Sequence, residues 1–94
     1  MHVTTCVITL QLYGIDSLKD KRRVIKSILT RLPHHFNVAT AEIDNHDTWQ
    51  TSVICIVSVG NDPGYLHGLM EKAVSWIEVN QRAAVVEHYT IESL

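Results

Sequence analysis

The spacing of apolar residues is the feature of this chain that most constrains its fold. Within residues 4–12 every second residue is apolar or β-branched, a two-residue period that predicts a β-strand. From residue 18 to residue 32 the spacing of apolar residues becomes helical. Ser17, just before this segment, has a side chain that can cap a helix, and Pro33 follows directly after it. These spacings predict a strand followed by an amphipathic helix.

The same two periods return in the rest of the chain. The segments FNVATAEID (residues 36–44) and TSVICIVSVG (residues 51–60) predict two strands joined by a hairpin. Asp62 and Pro63 are a good start for a second helix, which the apolar spacing carries to about residue 79. The run AAVVEHYTIESL predicts a last strand, with Val86 and His88 on one face.

The predicted order is therefore strand, helix, strand, strand, helix, strand. That order is typical of the ferredoxin-like βαββαβ fold, an α+β architecture in which two helices cover one face of a four-stranded antiparallel sheet. A chain of 94 residues provides one hydrophobic core, so we expect a single domain over residues 1–94.

The other face of such a sheet has no helix over it. On the third strand two alternate sets of residues are both apolar, so the pattern leaves open which set faces outward. Either set makes an open face more apolar than a solvated face usually is, and we expect a homodimer to bury it. The two sets are Val53, Cys55, Val57 and Val59, or Ile54 and Ile56.

Composition excludes several classes of protein. With 46% hydrophobic and 19% charged residues, the chain is typical of a soluble globular domain. The first segment, MHVTTCVITLQLYG, alternates, has no basic leader and is shorter than a membrane span, so we expect no signal peptide, no membrane anchor and a cytoplasmic location. Cys6 and Cys55 lie in strand segments, where they are interpreted as small buried apolar residues of a reducing compartment.

Positive charge is concentrated in the first helix. Six of the eight Lys and Arg residues fall between residues 19 and 31, where Asp20 is the only acid. The helical period predicts an exposed basic side opposite the apolar one, whereas Lys21 lies near the inward side and must extend toward the connecting loops. The candidate RNA-binding or anion-binding residues are Lys19, Lys21, Arg22, Arg23 and Lys26.

Two interpretations of this basic helix remain open. Clustered basic residues are typical of contact with nucleic acid, and Lys21 and Arg22 near the helix start could hold a phosphate or carboxylate. A charged stripe also keeps a surface helix solvated, and a formal net charge of -2 argues against tight nonspecific binding of nucleic acid.

The segment AEIDNHDTWQ, residues 41–50, is the second candidate site. Acids, a histidine and amides could ligate a metal, with Glu42 and Asp44 predicted on one strand face, but the same residues are ordinary turn chemistry. Without a second ligand cluster we predict no metal site and no cofactor, and without a neighbouring nucleophile we do not expect an enzyme. The residues of this candidate loop site are Glu42, His46, Asp47, Trp49 and Gln50.

Three segments, SLKDKRRVIKSILTRL, FNVATAEIDNHDTWQ and VSVGND, resemble the small bacterial YlxP-like proteins, a family classed as a domain of unknown function. The resemblance covers essentially the whole chain. It departs at His46, where the family more often has glutamine, and at Asp20, often a glutamate. The shared positions are Ser17, Leu18, Lys19, Lys21, Arg22, Arg23, Ala41, Glu42, Asp47, Trp49 and Gln50.

The resemblance implies a ferredoxin-like structure without an established enzymatic activity. Genes of the family commonly lie among those for translation initiation, transcription antitermination and ribosome maturation. We therefore expect a non-enzymatic accessory protein that binds RNA or a ribonucleoprotein, such as ribosomal RNA or a ribosomal subunit, through the first helix. The alternatives are a homo-oligomeric protein-protein interaction module and a small-anion-binding enzyme.

Overall fold

A computed structural model describes all residues from Met1 to Leu94. The elements are β1 (His2–Leu12), α1 (Leu18–His35), β2 (Ala39–Asp44), β3 (Thr51–Gly60), α2 (Pro63–Asn80) and β4 (Ala84–Ser93). All strand pairs are antiparallel, and the sheet order is β2-β3-β1-β4. The predicted α+β ferredoxin-like fold is confirmed.

The core lies between the helices and one face of the sheet. On β1 the residues at even positions from Thr4 to Leu12 are buried, as the two-residue period predicts. On β3 the buried set contains Ile54 and Ile56, which resolves the ambiguity in that strand. They pack with residues from both helices, namely Ile25, Ile28, Leu32, Met70, Ala73, Val74 and Ile77.

The first helix is longer than its sequence pattern predicts, because it continues past Pro33 to His35. A proline inside a helix has no N–H to donate to the carbonyl four residues earlier, which here belongs to Leu29. The hydroxyl of Thr40 on β2 donates to that carbonyl at 2.7 Å. The contact supplies the missing donor, so the helix continues and is joined to the edge strand.

Two irregularities in the ladders change which face certain residues occupy. Between Glu42 and Asp44 the register with β3 shifts, so Glu42 pairs with Ile54 on the helix side while Asp44 pairs with Val53 on the open side. The prediction that these two acids share a face is therefore wrong. A second shift, in the β1–β4 ladder, pairs Val86 with Leu10 and His88 with Thr9, so these two residues lie on opposite faces. The prediction that they share a face is also wrong.

Both α1 and α2 are 18 residues long. Neither has the combination of length and apolarity that crossing a membrane requires.

Candidate functional site

The outward face of α1 carries exposed basic side chains. Ser17 begins the helix, its Oγ accepting a hydrogen bond of 3.1 Å from the amide N–H of Asp20. The apolar residues Ile25, Ile28 and Leu32 are buried against the sheet, and this orientation turns the opposite side of the helix to solvent. The exposed residues there, here called the basic face, are Lys19, Arg22, Arg23 and Lys26.

Carboxylates neutralise this basic face only in part. Arg23 donates to Asp20 Oδ1 at 2.9 Å, and Arg22 lies 3.9 Å from Asp47 Oδ1 with both side chains largely exposed. Water competes strongly for an exposed pair at that distance, so the second contact is weak. Lys19 and Lys26 form no ion pair within 4.0 Å, so their ammonium groups remain available to a partner.

Two acids stand beside the start of α1. The pKa of Asp16 lies above its ordinary value because its carboxyl shares a hydrogen bond with that of Asp20, and because the negative charge of Asp20 disfavours a second one. Asp16 precedes the helix and Asp20 lies in its first turn. Negative charge at this end interacts favourably with the helix dipole. Negative charge is therefore present beside the first turn of the basic face.

Lys21 does not belong to the basic face. Its side chain is fully buried, and its ammonium lies 3.0 Å from Glu42 Oε2. The same ammonium donates to the carbonyl oxygens of Asn45 and His46. Three oxygen atoms of the protein thus surround an ammonium that has three N–H groups. Lys21, one of the residues predicted to bind RNA or an anion, is therefore enclosed by the protein and is not exposed at the surface.

The candidate loop site is held as a turn. Besides the two carbonyls bonded by Lys21, the ring Nε2 of His46 lies 3.0 Å from the carbonyl oxygen of Glu42. Asn45 has φ of 61°, a left-handed conformation that asparagine tolerates. Its backbone N–H donates to Asp44 Oδ1 at 2.8 Å. These bonds order the connection between β2 and β3 and place it beside the start of α1.

The five residues predicted for the loop site do not converge. Glu42 points inward and accepts a hydrogen bond of 2.5 Å from Ser52 Oγ, whereas His46, Asp47, Trp49 and Gln50 are exposed. No group of three or more His, Cys, Asp or Glu side chains is placed to hold a metal ion. The arrangement favours a structural role for Glu42 over a ligand-binding one.

A cluster of side chains between the helices was not predicted from the sequence. The guanidinium of Arg31 lies 4.9 Å from the centroid of the Trp76 ring, and the ring of His35 lies 5.0 Å from the same centroid. Arg31 thereby packs toward α2 instead of joining the basic face. No local pattern signals this contact, because its partners are far apart in the chain.

The cysteines are free thiols on opposite faces of the sheet. Cys6 is fully buried beneath the helices, and burial, assisted by the nearby Cys55, raises its pKa to about 11. Cys55 lies on the open face, and partial burial raises its pKa as well. A raised pKa keeps a thiol protonated and weakly nucleophilic, so neither residue resembles an activated catalytic cysteine.

Fold and surface together define an α+β, ferredoxin-like domain that carries a basic helix face beside an ordered hairpin. The chain belongs to the family described as "Protein of unknown function (DUF503)", whose model matches residues 3–90. It is 36% identical over 67 residues to "Uncharacterized protein YlxP" of Bacillus subtilis (strain 168), a match covering 71% of this chain and 73% of that protein. The resemblance to YlxP-like proteins is therefore confirmed.

A solved structure supports the fold independently. "De novo designed protein Foldit4" aligns with a TM-score of 0.55 at 16% sequence identity, covering 100% of this chain and 97% of that one. At this identity the likeness concerns the fold alone.

Proposed function

We propose that this protein is a non-enzymatic accessory factor that docks on RNA through the basic face of α1. The observation that carries the proposal is the set of four exposed cations on the outward side of one helix, only one of which is closely paired with a carboxylate. Phosphate backbones bind such surfaces through clustered Lys and Arg side chains.

The geometry suits an extended polyanion better than a small one. Lys19 and Lys26 are separated by about two helical turns, or ~10 Å, which is long enough to meet more than one phosphate. A pocket for a single phosphate at the helix start would have depended on Lys21 together with Arg22. The Lys21 ammonium is enclosed, which favours the docking surface over the small-anion-binding enzyme.

The genomic setting that the family resemblance implies points to ribosomal RNA or a ribosomal subunit as the partner, and to translation or ribosome maturation as the process. A factor that acts during assembly needs an affinity that is moderate and reversible. A small basic face on a chain of net charge -2 fits that requirement, because few phosphates are contacted.

Cosedimentation with ribosomal subunits and with naked ribosomal RNA tests the proposal. The informative variant combines Lys19→Glu with Lys26→Glu, because these cations have no ion pair to disturb. A matched control combines Lys72→Glu with Arg82→Glu, which changes the net charge equally at exposed positions outside α1. Wild type and control are expected to pellet with RNA, whereas the α1 variant stays in the supernatant.

Salt dependence gives the second readout. When binding releases counterions, the logarithm of the binding constant falls linearly with the logarithm of the salt concentration. The slope is about -0.7 for each phosphate contacted on single-stranded RNA. Because the α1 variant lacks two cations, we expect the magnitude of its total salt slope to be smaller than that of wild type by about 1 to 2. The control variant is expected to keep the slope of wild type. If both double variants lose binding equally, general charge and not the α1 face is responsible, and the proposal fails.

A further inference from the structure

The open face of the sheet is apolar along its centre. The alternate residues of β1 and β3 that point away from the helices pair across the two strands, Val7 with Cys55, Thr9 with Val53 and Thr5 with Val57. None of these residues is charged, and all are partly exposed in the single chain. Ala39 and Ala41 of β2 continue the face toward one edge with small side chains.

Apart from the thiol of Cys55, whose raised pKa keeps it neutral, charged and titratable groups on this side are confined to its margins. His88 and Glu92 lie on the edge strand β4, and Asp44 lies at the end of the edge strand β2. An apolar centre with a polar rim is the usual anatomy of a protein-protein interface. Two neutral central strands also argue against a nucleic acid as the occupant, since phosphates require cations.

The face has the size that a stable dimer needs. Four strands spaced by ~4.8 Å make a sheet about 19 Å wide, and ten residues rising by ~3.3 Å make it about 33 Å long. The flat footprint is therefore ~600 Å², before the relief of the side chains is added. Two such faces packed together bury at least ~1,200 Å² in total, which reaches the lower end of the range of about 1,200 to 2,000 Å² for specific protein-protein interfaces.

We infer that two copies of this chain pack through their open faces as a two-fold symmetric homodimer. The axis passes near the Val7–Cys55 pair, so that the apolar stripe of β1 and β3 meets the same stripe of the second copy. The helices then form the outer layers, and the basic face of α1 remains exposed on both sides. The inference is independent of the proposed RNA docking, because it uses no residue of the basic face.

Sedimentation equilibrium across nanomolar to submillimolar concentrations tests the dimer. Wild type is expected to dissociate from dimer to monomer on dilution. Val7→Lys, which introduces an ammonium at the centre of the face, is expected to weaken the dimer by about a hundredfold or more. Val79→Lys makes the same substitution at a position on α2 that is 81% exposed, and is expected to leave the dimer unchanged.

The thiol of Cys55 provides a readout on the unmodified protein. Cys6 is fully buried, so Cys55 is the thiol expected to react with N-ethylmaleimide while the protein is folded. In a dimer its reaction slows as protein concentration rises, whereas in a monomer its rate does not depend on concentration. Slower reaction at high concentration supports the inference even if Val7→Lys fails to fold. A monomeric mass throughout, with a constant rate of Cys55 modification, overturns it.

Discussion

The ammonium of Lys21 and the carboxylate of Glu42 form an ion pair inside the protein, with Nζ 3.0 Å from Oε2. This pair joins the first turns of α1 to the end of β2, and the ammonium also bonds two carbonyl oxygens of the hairpin. Ser52 supplies a further donor to the same carboxylate. The start of the basic helix and the hairpin beside it are therefore held together by one connected polar network.

Removing one member of this pair is expected to destabilise the fold strongly. Lys21→Met keeps the length of the side chain but removes the cation that faces the Glu42 carboxylate and the donor to two hairpin carbonyls, at a cost of about 3 to 5 kcal/mol. Urea unfolding followed by circular dichroism measures the change. The adjacent variant Arg22→Met removes a largely exposed cation, and its effect should stay within about 0.5 kcal/mol.

Hydrogen exchange distinguishes a local role of Lys21 from a general one. With Lys21→Met, amides of the hairpin, including the Thr48 amide that donates to the carbonyl of Asn45, are expected to exchange faster than those of β1. Uniform acceleration through the sheet would contradict a clamp on the hairpin and would indicate only lower global stability.

The hydroxyl of Thr40 is expected to stabilise α1 through the Leu29 carbonyl that Pro33 leaves without a donor. Thr40→Val keeps the shape of the side chain and removes the donor, so the free energy of unfolding should fall by about 1 to 2 kcal/mol. In a Pro33→Ala background the residue 33 amide can donate to Leu29 instead. The cost of Thr40→Val should then shrink, and an unchanged cost would refute this account of the helix continuation.

Thr4→Val is expected to raise the free energy of unfolding, whereas Thr40→Val lowers it. Thr4 is buried on β1, and its Oγ1 has no hydrogen-bond partner in the protein. Thr4→Val replaces that hydroxyl by a methyl group at nearly constant volume, so stability should rise by about 1 kcal/mol. Thermal unfolding of the two valine variants side by side checks the contrast. A loss of stability at Thr4 would mean that the hydroxyl has a partner in solution.

Stability is expected to fall in alkaline solution because of Cys6. Burial raises its pKa in the folded state from an ordinary value of 9.0 to about 11. Below the lower value both states are protonated and the pH has no effect through this group. Between the two values the unfolded chain loses the proton while the folded one keeps it, so the free energy of unfolding falls by up to about 1.4 kcal/mol per pH unit.

Urea titrations between neutral and alkaline pH measure this dependence. Cys6→Ala removes the thiol and should lower the slope of stability against pH in that window, although it also lowers stability at every pH by opening a small cavity. All other side chains are common to both proteins, so their contributions cancel in the comparison. Equal slopes would show that the thiol is not protected from solvent.

Local patterns predicted the elements well because each depends on neighbours in the chain. The N-terminal caps at Ser17 and Asp62 accept hydrogen bonds from the first-turn amides of their own helices, which sequence spacing can specify. The basic face was predictable for the same reason. The hairpin was predicted as a turn, but the sequence could not show that Lys21 orders it, since that contact joins residues 24 and 25 positions apart.

Hydrophobic periods and helix caps act over a few residues. They were therefore sufficient to predict the order of the elements, the single core and the concentration of cations on the first helix. Contacts between segments that are distant in the chain place Ile54 and Ile56 against the helices and bury Lys21. The register of β2 against β3 puts Glu42 and Asp44 on opposite faces. A two-residue period specifies that faces alternate but not which face is covered. That choice depends on the register of the neighbouring strand and on the helices packed against it.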